Sequence, residues 1–219
     1  MCVQFIRNSL FHSVLQINNL AGTRGERLLF KNLSFAVNGG ELLLIKGRNG
    51  AGKTSLLRLI CGLATPETGE ILWDGESIAN IRSEYFRSLV FVGHDNGVNL
   101  DLTVQENLNF HQALKGNPSA HSIPEVLEQL GISRYLRVPC RFLSAGQKRR
   151  VALGRLAISD ARIWLLDEPF NSLDERALDA VKNLIIQHLD QGRLCLATSH
   201  QTIDWRDKKV NQIRLGEDS

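Results

Sequence analysis

Gly47-Arg48-Asn49-Gly50-Ala51-Gly52-Lys53-Thr54 fits the pattern GxxxxGK[ST]. Its residue types are those of an anion cradle. Glycines allow successive backbone N–H groups to turn inward, and a helix opening at Lys53 adds the positive end of its dipole. The Lys53 ammonium would reach the β- and γ-phosphates of a nucleotide, and the Thr54 hydroxyl would ligate Mg²⁺. Ser55 completes the cradle, which comprises Gly47, Arg48, Asn49, Gly50, Ala51, Gly52, Lys53, Thr54 and Ser55.

Ile163-Trp164-Leu165-Leu166-Asp167-Glu168 is an apolar run ending in two acids. In a parallel sheet, ligands gather at the carboxyl ends of strands. Asp167 would emerge there to hold Mg²⁺ through water. Glu168, one residue on, would face the terminal phosphate as general base for an attacking water. Leu143-Ser144-Ala145-Gly146-Gln147 lies before these acids and leads into a helix-like run from Lys148 to Gly154. Ser144 and the backbone N–H groups that follow sit at a helix N-terminus, suited either to a phosphate or to an ordinary cap. The basic cluster Lys148-Arg149-Arg150 reads as one exposed helix face.

The elements that must position these groups are visible as short apolar runs alternating with helical patterns, the mark of a parallel α/β sheet. Leu42–Ile45, Leu89–Val92, Ile163–Leu166 and Leu194–Ala197 are continuously apolar, as strands buried on both faces are. Leu15–Asn19, Leu33–Val37 and Glu70–Trp73, separated by glycines, are expected to form an antiparallel sheet. Leu56, Leu59, Ile60 and Leu63 fall at helical spacing. Thr103–Leu114 and Ile123–Leu130 read as two helices joined by a polar linker, Gly116–Ser122.

Composition excludes several classes. The 219 residues carry 26 lysines and arginines against 23 acids, a net charge of +3, too mild to argue for nucleic acid. Apolar content of 43% excludes disorder. Cys2, Cys61, Cys140 and Cys195 have no CxxC spacing, so neither a zinc site nor a disulfide framework is indicated, and a reducing compartment is expected. No apolar stretch approaches the ~20 residues of a spanning helix, and residues 1–16 lack the continuous apolar core of a signal peptide. The residues before Leu15 read as a flexible arm or a consequence of start-site choice.

The order GxxxxGKT, LSAGQ, LLDE resembles that of ATP-binding-cassette (ABC) ATPases, from about Leu15 to Leu215. Ala145 stands where the LSGGQ signature of that family has glycine. The resemblance implies an α/β fold: a P-loop core of ABC type with a mixed sheet, an N-terminal antiparallel β subdomain and an inserted helical subdomain. One domain is expected, with residues 15–94 and 151–215 forming the β subdomain and phosphate-loop core. Residues 95–150 would be the helical subdomain and 1–14 an extension. It also implies a head-to-tail pair of copies with ATP sandwiched between them. Ser144, Ala145, Gly146 and Gln147 of one copy would meet the ATP held by the other. Asp174, in Asn171-Ser172-Leu173-Asp174, resembles the D-loop that follows the catalytic glutamate. His200 matches the switch histidine that contacts the γ-phosphate and orients water.

Two positions depart from the family pattern. His94, after Phe91-Val92-Gly93, occupies the place of the Q-loop glutamine, where a histidine can still donate or accept a hydrogen bond with a charge that depends on pH. Arg24 falls where an aromatic stacks on adenine. Its guanidinium plane would stack on the base or point to solvent. Lys53, Glu168, His200 and His94 are thus the candidate catalytic residues, Thr54 and Asp167 the metal ligands, ATP and Mg²⁺ the ligands.

A single cassette without a spanning segment resembles the ATPase subunit of a transporter assembled from separate chains, working peripherally on the cytoplasmic face of a bacterial inner membrane. The Val92-Gly93-His94 replacement, Ala145, Arg149–Leu153 and Thr198–Gln201 resemble the branch that serves cytochrome c maturation and is described as exporting haem. The partners implied are a second copy and integral membrane permease subunits, CcmB-like. Open alternatives are the ATPase of another transporter, a nucleotide-gated regulator without turnover, and a soluble cassette acting on ribosomes or DNA.

Overall fold

The computed structural model describes residues 14–115 and 122–216. The expected N-terminal extension lies outside these residues apart from Val14, and the expected linker apart from Ser122.

Parallel and antiparallel pairing divide between two sheets rather than mixing in one. The antiparallel sheet holds β1 (Val14–Arg24), β2 (Arg27–Asn38), β4 (Thr68–Trp73) and β5 (Glu76–Ser77) in the order β2-β1-β4-β5. β1 and β2 are longer than the alternation predicted. Register shifts at Ile17/Leu20, Leu20/Gly22 and Gly22/Thr23 break the period of two, so only the regular halves were expected as strands.

The second sheet is parallel throughout, in the order β6-β7-β8-β3-β9. Its strands are β3 (Glu41–Gly47), β6 (Leu89–Val92), β7 (Ile163–Leu166), β8 (Leu194–Thr198) and β9 (Lys209–Leu215). The continuous apolar runs are explained by burial on both faces. Leu42, Leu44, Val92, Trp164, Leu166, Cys195 and Ala197 pack into one core cluster. Leu43, Ile45, Leu89, Ile163, Leu165, Leu194 and Leu196 pack into the other, beneath the antiparallel sheet.

Six α-helices occur among the described residues: α1 (Lys53–Ile60), α2 (Arg82–Ser88), α3 (Val104–Lys115), α4 (Ile123–Gln129), α5 (Ala145–Ala157) and α6 (Glu175–Asp190). α1 buries Leu56, Leu57, Leu59 and Ile60 against the second cluster, each contributing about 1.5–3 kcal/mol. That burial pins the start of α1 under the end of β3. α3 begins one residue later than expected because Thr103 acts as its cap. The Thr103 N–H donates to Glu106 Oε2 at 2.8 Å while the Glu106 N–H donates to Thr103 Oγ1 at 3.2 Å. α4 ends at Gln129, with Leu130 as its C-cap. The subdomain boundary expected at residue 150 falls inside α5, which runs unbroken from Ala145 to Ala157.

Candidate active site

The phosphate loop connects β3 to α1. Gly52 caps α1 in the left-handed region, with φ 98° and ψ 10°, and a Cβ there would also crowd Leu29 at 3.1 Å. Glycine is therefore required both by backbone conformation and by space. Lys53 is buried although it is a lysine. Its Nζ donates to the carbonyls of Gly47 at 2.8 Å and Arg48 at 3.3 Å, and lies 3.1 Å from His200 Nε2.

His200 follows β8 and is the second point of a short chain of groups. Its Nε2 lies 3.3 Å from Glu168 Oε1. Glu168 Oε2 in turn accepts from Asn171 Nδ2. Ammonium, imidazole and carboxylate thus converge at the carboxyl ends of β3, β8 and β7, where a parallel sheet places its ligands.

A second set of contacts fixes the acids. The Thr54 hydroxyl donates to Asp167 Oδ2 at 2.7 Å, and the Thr198 hydroxyl donates to Asp167 Oδ1 at 2.7 Å. Thr198 Oγ1 also accepts from the Glu168 N–H at 2.8 Å, and the Asp167 N–H donates to the Val92 carbonyl at 2.8 Å. Thr198 is fully buried and Asp167 nearly so. Glu168 has φ 49°, an uncommon conformation for a non-glycine residue. The turn directs its carboxylate to His200 and not along the strand.

Arg24 is exposed and shares a small cavity of about 110 Å³ with Leu29, Gly50, Gly52, Lys53, Thr54 and Ser55. A larger cavity of about 780 Å³ abuts the loop at Gly47, Arg48 and His200, but contains none of residues 50–55. The smaller one is lined by the loop residues Gly50, Gly52, Lys53, Thr54 and Ser55.

The signature segment is assembled separately. Ser144 caps α5: its Oγ accepts from the Gln147 N–H at 3.2 Å, and Gln147 Oε1 accepts from the Ser144 N–H at 2.8 Å. Gln147 Nε2 donates to Tyr135 Oη at 2.8 Å. No hydrogen bond joins residues 144–147 to residues 47–55 among the described residues. Ala145 is exposed, whereas a Cβ on Gly146 would lie 2.5 Å from the Ser172 carbonyl oxygen. The alanine is tolerated and the following glycine is not replaceable without movement.

One expectation is corrected by the geometry. Lys148-Arg149-Arg150 does not form one exposed face. Arg149 is 5% exposed, and Arg150 Nη2 pairs with Asp174 Oδ2 at 2.5 Å. A run of three cations carries no mark of which one turns inward, which is why sequence missed Arg149. Asp174 serves as the N-cap of α6, accepting from the Ala177 N–H at 2.9 Å. That hydrogen bond, with Arg150 beside it, holds the exposed carboxyl below its ordinary pKa. His94 is exposed and forms no hydrogen bond among the described residues, while the adjacent Gly93 carbonyl accepts from Arg149.

The ABC transporter family profile matches residues 30–171, more than half of the chain. The chain belongs to the ABC transporter family. Among curated ABC relatives, the cytochrome c biogenesis ATP-binding export protein CcmA of Nitrosococcus oceani is 46% identical over 199 residues, covering 91% of both chains. The protein of that name from Aliivibrio fischeri is 42% identical over 204 residues, 93% of this chain and 100% of its own. That from Escherichia coli O157:H7 is 41% identical over 202 residues, 92% and 96% respectively. The fold matches a putative ABC transporter ATP-binding protein from Pyrococcus furiosus with a TM-score of 0.79 at 24% identity, covering 92% of this chain and 97% of that one. A bacterial Atm1-family ABC exporter with ATP bound gives 0.80 at 24% identity, covering 94% of this chain and 38% of that one. An ABC ATPase domain implies ATP binding. Thr54 Oγ1 and Asp167 Oδ2 form a hard-oxygen pair beside the cradle, the donor type that Mg²⁺ takes together with water and phosphate oxygens.

Proposed function

We propose that this chain is the ATP-hydrolysing subunit of a multi-chain export transporter serving cytochrome c biogenesis. The observation that carries the catalytic part is the convergence of Lys53, His200 and Glu168 within 3.1 and 3.3 Å steps at the sheet's carboxyl edge. The kinship with CcmA proteins over nine-tenths of the chain supports the transport role. No helix among the described residues is long and apolar enough to cross a membrane. The pathway would therefore come from integral membrane permease subunits, CcmB-like, with this chain peripheral on the cytoplasmic face of the inner membrane.

Two copies would close head to tail on two ATP molecules. Ser144 and Gly146 of one copy would meet the γ-phosphate held by Lys53 of the other. Glu168 would take the proton of an attacking water that His200 orients, for in-line displacement of ADP. Thr54 and Asp167 would hold Mg²⁺, which when bound neutralises charge on the phosphates. Closure and reopening would move the helical lobe, with α5 intact, against cytoplasmic loops of the permease.

The test is ATP turnover of the purified chain. Glu168→Gln should bind ATP with parental affinity and hydrolyse it at least about 100-fold more slowly, and Lys53→Ala should lose both. Turnover of Glu168→Gln at the parental rate would remove Glu168 from its role. Isolation from membranes together with a multi-span protein is expected; recovery only from cytosol would overturn the transport assignment.

A further inference from the structure

The guanidinium of Arg149 is spent on three backbone carbonyls and one side-chain amide. Nη1 donates to the Gly93 carbonyl at 2.7 Å and to Asn96 Oδ1 at 3.2 Å. Nη2 donates to the carbonyls of Asp167 at 2.6 Å and Glu168 at 2.9 Å. All four acceptors lie in the segments that directly follow β6 and β7. Arg155, further along α5, adds a bond from Nη2 to the Asn96 carbonyl. Two arginines of one helix therefore hold the loop that carries His94.

Packing does not require this charge. Burial disfavours the charged form of Arg149, an effect that the carboxylates of Asp167 and Glu168 oppose. An apolar side chain would fill the space without that penalty but would leave the acceptors of these four hydrogen bonds without their donor. What the guanidinium supplies is geometry. Glu168 stands in a left-handed conformation, which costs of order 1–3 kcal/mol away from glycine and needs support from its surroundings. Its N–H is held by Thr198 and its carbonyl by Arg149, so both sides of its Cα are fixed. One of these supports belongs to the sheet and the other to the helix that begins at Ser144.

We propose that Arg149 is the positioning residue that couples the signature helix to the Glu168 carboxylate. Movement of α5 shifts the two carbonyls after β7 and with them the direction of the carboxylate. The same guanidinium carries the loop after β6 through the Gly93 carbonyl. Coupling between helical lobe and site then runs through α5. The inference rests on Glu168 as the base.

The experiment compares ATP hydrolysis by the full chain in Arg149→Lys, Glu168→Gln and the double variant, with single-turnover measurement of the slow rates. Lysine keeps the buried charge but cannot bridge four acceptors. Arg149→Lys should lose roughly 10- to 100-fold in kcat, the effect of a small misplacement, with KM for ATP and affinity for a fluorescent ATP analogue within about twofold of the parent. In the Glu168→Gln background the same change should cost nothing further, because its effect passes through the carboxylate. A loss carried in KM, or losses that multiply in the double variant, would overturn the proposal. Parental kcat in Arg149→Lys beside an inactive Glu168→Gln would overturn it while leaving the base intact. An active Glu168→Gln would instead remove the base itself. Should Arg149→Lys fail to fold, Asn96→Ala removes one acceptor only. A severalfold fall in kcat at unchanged KM supports the proposal, and parental kcat overturns it.

Discussion

The Ser172 carbonyl oxygen lies 2.5 Å from where a Cβ on Gly146 would stand. This contact joins the first turn of the signature helix to the segment after Glu168, and Ser172 itself has φ 61°. Gly146→Ala must push one of them away. ATP turnover should fall at least about tenfold, while the melting temperature moves little because residue 146 is at a helix end. Ala145→Gly removes a methyl from an exposed position and should leave turnover within about twofold. Paired rate measurements on the two variants check both.

Thr198 is the hinge pin between the two acids, donating to Asp167 and accepting from the Glu168 N–H. Thr198→Val keeps the shape and leaves a buried carboxylate oxygen without its donor, at a cost of about 1–3 kcal/mol. Thermal melting should register this, and kcat should fall with it. An unchanged melting temperature would show that Asp167 finds another donor.

Arg24 shares its cavity with Gly50 to Ser55. If its plane stacks on adenine, Arg24→Ala should weaken ATP binding roughly 3- to 10-fold, and Arg24→Trp should restore it. Direct titration with ATP decides the matter; equal affinity in Arg24→Ala means that the side chain serves only solvent.

His188 is buried on α6, with Nε2 donating to the Leu194 carbonyl at 3.0 Å and its ring stacked 3.7 Å from that of Trp164. Burial pushes its pKa down to about 3. An unfolded chain would take up that proton near pH 6.5. The folded chain refuses it until far lower, so stability should fall as pH drops below about 6.5 toward about 3. His188→Phe keeps the stack and abolishes the titration. Its melting temperature should depend less steeply on pH over that window, although it starts lower for want of a donor to Leu194. A slope equal to that of the parent would assign the acid sensitivity elsewhere.

The candidate site was largely legible because its chemistry is local. Phosphate loop, acids and signature each carry their own residue types in consecutive positions. Strands β6 and β7 were found to the residue, since burial on both faces leaves an unbroken apolar run. β9 was missed because Lys209, Asn211, Gln212 and Arg214 interrupt its apolar residues. α6 had a usable signal, apolar residues at 177, 181, 184, 185 and 189 on one face. What sequence could not reveal was Arg149. Its role depends on which way one cation in a row of three turns, and packing of α5 on the sheet decides that.

The unbroken course of α5 sets how this chain must come apart. The half that begins at Ser144 serves the helical lobe, while Val151, Leu153 and Leu156 are sealed in the same cluster as strands of the parallel sheet. Melting the lobe alone would have to snap a helix in mid-turn and strip apolar surface from the sheet. Lobe and sheet are therefore expected to unfold as one cooperative unit, with a single calorimetric peak. Motion during ATP turnover is accordingly expected to be a tilt of intact pieces, with α5 kept whole.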